Sequence, residues 1–250
     1  MVYSAHYKRT LSRIMEQENK FLIPLAVIIA GALVAGAVFF KSQNTAPTTD
    51  GGIDTTVDIP LEPVSVDDHI LGNPDAQIKI VEFSDIECPF CTIFHATMHK
   101  IMDEYGKDGQ VAWVFRNMPL DQLHPDARAK AESAECVASL AGNEVYWKYM
   151  DALFTRDETA ADLPAIAAEM GVDQTAFATC LSEKRFADKV KSHGDAGLAA
   201  GEAAQKAGII EGIGTPMSIL VLPDGTKTVL AGAQPYEIVK QVLETALKGE

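Results

Sequence analysis

Cys88-Pro89-Phe90-Cys91 places two thiols two residues apart, directly after a short apolar run and at the start of a helix-patterned stretch. At the first turn of a helix this spacing lets both sulfurs meet at bonding distance. It also sets the first sulfur beside unpaired backbone N–H groups at the positive end of the helix dipole, where a thiolate is favoured. A thiolate is both the attacking group and the better leaving group in disulfide exchange. The geometry therefore casts Cys88 as an exposed nucleophile, with Cys91, one turn into the helix, as the shielded resolving thiol. One Cys-x-x-Cys is also half of a zinc site. The remaining cysteines, Cys136 and Cys180, have no partner two residues away, so no second half exists. His95 and His99 follow Cys91 at i+4 and i+8 and could complete a metal site. Their spacing equally suits ordinary helix-surface histidines, and Ala96 rules out an H-E-x-x-H motif. The balance favours a redox pair, with no metal assigned and no cofactor beyond the two thiols.

The elements that must position this pair are legible around it. Ile78–Phe83 is a short β-branched apolar run, a strand. Pro89 suits the first turn of the helix that follows, in which Phe94, Met98, Ile101 and Tyr105 recur at helical spacing until Gly106. Val111–Phe115 is the next strand, so a βαβ unit with parallel pairing is expected. An alanine-rich helical block comes next. Its boundaries are His124-Pro125, Gly142-Asn143, Asp162-Leu163-Pro164, Gly171, Asp173 and Gly208, each a cap or a breaker. After Gly214-Thr215-Pro216 the strand period returns. Ser218–Leu222 and Thr226–Leu230 flank a Pro223-Asp224-Gly225 turn, and Pro235 begins a closing helix. The order is βαβ, helical block, ββα.

Charge divides the chain. Residues 1–41 carry five Lys/Arg against two Asp/Glu, and residues 42–250 carry sixteen against thirty-three, including all four cysteines. The net −14 argues against a nucleic-acid partner, and four cysteines are too few for a disulfide scaffold of 250 residues. Residues 21–40 hold no charge, and as a helix they would span about 30 Å of membrane hydrocarbon. Lys8, Arg9, Arg13 and Lys20 precede that run and only Lys41 follows it. The expected topology is a cytoplasmic segment 1–20, a lipid-embedded anchor 21–40, a flexible acidic linker 41–66 and an exported domain 67–250. Outside the cytoplasm disulfides persist. With Cys88 and Cys91 paired by proximity, Cys136–Cys180 is the remaining intramolecular pair, expected as a structural disulfide. Two buried free thiols are the alternative.

Strand-Glu87-CPFC-helix, a helical insertion at about 121–208, and Gly-Thr-Pro before a hairpin and closing helix together resemble the DsbA-like branch of thiol–disulfide oxidoreductases. The resemblance covers about residues 66–249. It implies an α/β thioredoxin fold with an inserted all-helical subdomain, here preceded by one transmembrane helix. It implies that Pro216 is a cis-proline facing the disulfide. Thr215 would contact bound substrate through its backbone, with Pro89 and Phe90 beside it at the substrate-facing site. Glu82 aligns with a buried acid that assists proton transfer to Cys91, although strand alternation leaves open which face it takes. Asp85 and Glu87, close to the site, are expected to disfavour a Cys88 thiolate. The strong oxidant of the branch has Pro-His between its cysteines; Pro89-Phe90 departs from that pattern and leaves the oxidising strength open.

The expected activity is membrane-anchored, extracytoplasmic dithiol–disulfide exchange, acting as a disulfide donor. The expected partners are exported cysteine-containing proteins and an integral-membrane redox partner. A reductase or isomerase of the same fold is the alternative. A copper-handling thioredoxin-fold protein of the Sco type is a further one, disfavoured because such proteins resemble a CxxxCP pattern and this chain has two residues between its cysteines.

Overall fold

A computed structural model describes residues 58–156 and 158–248; the expected anchor, the expected cytoplasmic segment and the expected linker up to residue 57 lie outside them. Five strands form one mixed sheet: β1 His69–Gly72, β2 Ile78–Ser84, β3 Val111–Asn117, β4 Met217–Val221 and β5 Lys227–Ala231. Their spatial order is β1-β3-β2-β4-β5. β2 and β3 are parallel, and the other neighbours are antiparallel. Helix α1, Pro89–Ile101, connects β2 to β3 and closes in a π-helical turn, Met102–Gly106. The insertion follows: α2 Ala127–Ala141, α3 Asn143–Thr155, α4 Leu163–Glu169, α5 Gln174–Ser182 and α6 Ala187–Lys206. Helix α7, Tyr236–Lys248, ends the described chain.

The pleat sorts β2 and β3 between two cores, because successive side chains point to opposite faces. Ile78, Ile80, Val111, Trp113 and Phe115 join α1, α7 and most of the helical insertion. Val81, Phe83 and Val114 join Ala200 and Ala204 of α6 on the other face. A sheet covered on both sides explains the nearly unbroken apolar runs of its central strands. Helix α6 approaches this second face closely at Gly197, where a Cβ would fall 2.8 Å from Phe83 and from Met118.

Strand β1 carries little sequence signal. It is a four-residue edge strand, too short for alternation to register, and its place is set by pairing with β3. Residues 58–66, which composition assigns to the flexible linker, lie against the domain. Ile59 is buried in the α6-side core, and Arg116 donates to the Glu62 and Pro63 carbonyls at 3.0 and 3.2 Å. Asn143 opens α3 but does not cap it through its side chain; its amide donates instead to the Ile70 carbonyl at 2.8 Å. Asp173 does cap α5, accepting from Ala176 N–H at 2.7 Å.

Candidate active site

Strand β2 delivers the chain to the site, and the helix start arms it. Cys88 is the N-cap of α1, in extended conformation, with Pro89 occupying the first turn. The proline has no N–H to leave unpaired and its fixed φ suits the helix. The free N–H groups at this helix end belong to Phe90 and Cys91. Both thiols are free.

The two sulfurs differ sharply in acidity. The Cys88 thiol is lowered to about 5, chiefly because the Cys91 S–H donates to the Cys88 sulfur. Burial opposes that shift, and the Cys91 and Phe90 N–H groups and Thr215 reinforce it. Cys91 is pushed far up. Burial is the main cause, followed by the bond to Cys88 and the charge of Glu82; Ser84 and Thr215 pull it modestly back. One thiol is thus poised as thiolate and its neighbour is held as thiol. Neither is open to solvent: Cys88 is 5% exposed and Cys91 0%. The expected exposure of Cys88 is corrected here. Thr215 lies against it, and in the thiol form Cys88 Sγ donates to the Thr215 carbonyl at 3.5 Å.

The Thr215–Pro216 peptide is cis, as the resemblance implied. It precedes β4 and so places the Thr215 backbone beside the nucleophile. Phe90 is 64% exposed, an apolar side chain next to a buried sulfur. Ile93, three residues on, is exposed as well.

Glu82 resolves the ambiguity of alternation. It shares the α1-side face with Ile80 and is fully buried, between Phe115 and Ser218 in register. Burial raises its carboxyl to about 7, against the lowering effect of Ser84 and Trp113. Trp113 Nε1 donates to Glu82 Oε2 at 2.8 Å, while Oε1 has no partner within the protein. Trp113 carries no motif. It became part of the site through register, since it pairs with Ile80 on the parallel strand and shares its face.

Asp85 and Glu87 are both engaged by partners other than the sulfur. Asp85 is buried and accepts from the Glu87 N–H and the Leu120 N–H, each at 2.7 Å, with His124 Nδ1 at 2.8 Å. Glu87 accepts from the Asp126 N–H at 2.7 Å and from Lys130 at 3.1 Å. The two carboxylates tie the segment before Cys88 to the loop and helix after β3. They contribute to holding the nucleophile in place.

Cys136 and Cys180 form a disulfide between α2 and α5, with Cα atoms 6.0 Å apart. Both are buried. It braces two helices of the insertion.

The histidines of α1 depart most from expectation. His95 is only 4% exposed and packs between Phe154, stacked at 4.4 Å, and Trp113 at 5.2 Å. It and His99 both approach Asp151 of α3. Asp151 lies 56 residues from His95 along the chain, too remote for helix spacing to reveal.

The solved structures most informative for this arrangement share its fold. α-DsbA1 of Wolbachia pipientis superposes with a TM-score of 0.60 at 24% identity, covering 76% of this chain and 94% of that one. Oxidised BdbD of Bacillus subtilis gives 0.60 at 23%, covering 76% and 98%. DsbA2 of Pseudomonas aeruginosa gives 0.57 at 22%, covering 73% and 96%. Among curated sequences, Na(+)/H(+) antiporter NhaA 3 of Salinispora tropica is 28% identical over 180 residues, 69% of this chain and 26% of the antiporter. NhaA 1 of Mycolicibacterium gilvum is 32% identical over 156 residues, 61% of this chain and 24% of that protein. The chain thus spans about a quarter of the length of the curated relatives it matches. The family model described as thioredoxin matches residues 64–201, a stretch that holds β1 to β3, the cysteine pair and most of the helical insertion. By that match over more than half its length, with the sheet and helix order now seen around the cysteines, the chain belongs to the thioredoxin family.

Proposed function

We propose that the protein is a thiol–disulfide oxidoreductase that donates disulfides to exported, cysteine-containing proteins. The observation that carries this reading is the split acidity of Cys88 and Cys91 across one turn of α1. A substrate thiolate attacks Cys88 Sγ of the oxidised pair, the Cys88–Cys91 bond breaks, and Cys91 leaves. A thiol as weakly acidic as Cys91 is a poor leaving group unless a proton reaches it. Glu82, buried close enough to raise Cys91 by its charge and titrating near 7, is the group suited to supply one. A second substrate thiolate then attacks the substrate sulfur of the mixed disulfide and expels Cys88 as a thiolate. The substrate has lost two electrons to the protein, which is now a dithiol.

The stabilised Cys88 thiolate favours this direction. A pKa of about 5 makes the disulfide roughly 60 mV more oxidising at pH 7 than one whose nucleophile titrates near 7. Thr215 and exposed Phe90 flank the nucleophile where an extended peptide would lie. The charge-free run at 21–40 supports anchoring with the domain outside the cytoplasm, within reach of an integral-membrane partner that reoxidises the pair. A reductase runs the same steps in reverse, and an isomerase starts from the dithiol and returns to it as the substrate disulfide is rearranged. Copper handling through the cysteines has less support: among the described residues, the group with ligand atoms close enough to hold an ion contains neither Cys88 nor Cys91.

A glutathione redox titration of the full chain, joined to trapping with Cys91→Ser, tests the proposal. A potential at least roughly 60 mV above −270 mV and mixed disulfides with exported proteins are expected. A potential near −270 mV would assign a reductase, and failure of Cys91→Ser to trap any protein would remove the exchange mechanism.

A further inference from the structure

We infer that His95, His99 and Asp151 form a binding site for a divalent transition-metal ion, zinc or one of its first-row neighbours, separate from the cysteine pair. Three ligand atoms converge from two helices. His95 Nε2 lies 2.9 Å from Asp151 Oδ1, His99 Nε2 lies 2.7 Å from the same oxygen, and the two nitrogens are 3.1 Å apart. No cysteine belongs to the group.

Protons alone satisfy at most two of the triangle's three edges. Each Nε2 offers either one N–H or one lone pair, and Asp151 Oδ1 offers lone pairs. If both rings donate to the carboxylate, the two nitrogens, 3.1 Å apart, are both donors and the edge between them holds no bond. If only one carries a proton, the other ring turns its lone pair toward the carboxylate oxygen or leaves that contact unmade. Every arrangement leaves one edge with like groups opposed. A cation turns all three edges favourable, because it needs three lone pairs aimed at one point.

The dimensions fit such an ion. Ligand atoms about 2.9 Å apart, each about 2.1 Å from a metal, subtend angles near 90°, the face of an octahedron. Two imidazoles and one carboxylate are a borderline donor set that suits zinc, nickel, cobalt or iron rather than calcium or magnesium. His95 is held rigidly, stacked on Phe154, and its Nδ1 is buried with no protein partner, so the triangle is the ring's polar environment. His99 and Asp151 are partly exposed, with side chains 37% and 46% accessible, which leaves the remaining coordination positions open to solvent. An ion here would pin α1, which carries the redox thiols, to α3 of the insertion.

The test uses the full chain with both cysteine pairs oxidised, so that thiols cannot compete. Co2+ is titrated by its visible spectrum, and Zn2+ by its displacement. One equivalent of Co2+ is expected to bind saturably without sulfur-to-cobalt charge-transfer bands. His99→Ala, at a half-exposed position, and Asp151→Asn should each weaken it at least about 100-fold. Zn2+ should also raise the melting temperature of the parent protein and not that of His99→Ala, which separates ligand loss from misfolding. Absence of saturable binding, or binding equally tight in a folded His99→Ala protein, would overturn the assignment.

Discussion

The molecule holds two cysteine pairs that burial does not distinguish. Cys88, Cys91, Cys136 and Cys180 are each at most 5% exposed. What separates the pairs is their position along helices. Cys136 and Cys180 lie inside α2 and α5, where backbone N–H groups are already used by the helices, and each sulfur sees the other across an apolar interior. Cys88 is an N-cap, and Cys91 sits in the same first turn. Unpaired N–H groups, Thr215 and a buried carboxyl reach these sulfurs unequally. The pair is therefore asymmetric in charge. Reactivity follows from that asymmetry, and bracing from its absence.

Removing one sulfur from each pair should break the comparison most visibly. Cys88→Ser should reduce oxidation of a model dithiol peptide to the uncatalysed rate, while Cys136→Ser should leave the catalysed rate close to that of the parent protein. Urea unfolding should reverse the ranking. The Cys136–Cys180 link closes 44 residues, so its loss should cost about 4 kcal/mol, whereas Cys88→Ser compared in the reduced state below pH 5, where the thiolate no longer contributes, should cost much less. Equal effects on both readouts would erase the distinction.

Proton linkage sharpens it further. The folded pKa of Cys88 is depressed to about 5 from an unfolded value near 8.5. Its contribution to the reduced form is full above about pH 8.5 and is lost as pH falls through 5. The stability difference between the reduced and the oxidised form should therefore rise with pH across that window, since Glu82, which acts in the opposite sense, is present in both. At pH 7 the gain is about 3 kcal/mol. The oxidised form lacks this term, so the difference between the two forms isolates it.

Glu82→Gln should give a smaller, two-sided effect. The Glu82 pKa is raised, so any stability it lends is present at low pH and lost as pH rises through about 7. At pH 8 the buried carboxylate is a cost, and glutamine should recover roughly 2 kcal/mol while still accepting from Trp113. The same change should slow attack on the Cys88–Cys91 disulfide by about tenfold to a hundredfold, through loss of the proton donor to Cys91. A variant that is more stable yet equally fast would remove Glu82 from the mechanism.

Local signals carried the centre of this molecule into the sequence. The cysteine spacing, Pro89, the caps at Gly142 and Asp173, and the return of strand period after Pro216 all act over a few residues, and each element they predict is found with its ends shifted by only a few positions. Features that depend on register or distant packing were not legible. Nothing local reveals that Trp113 and Glu82 share a face, since a one-residue slip would have separated them. The partners of Asp85 and Glu87 lie more than thirty residues on, so their part in tethering the following loop and helix was not legible locally. His95 read as a surface residue because α3, which covers it, is joined to α1 only in the folded chain.

The central claim is that Cys88 is a thiolate at neutral pH while Cys91 is not. Thiolate absorbance near 240 nm, followed against pH on the reduced full chain with the oxidised chain subtracted, measures it directly. One transition near pH 5 accounting for a single thiolate, absent in Cys88→Ser, is the predicted result. A first transition near pH 8.5, the value of an unperturbed thiol, would contradict the account.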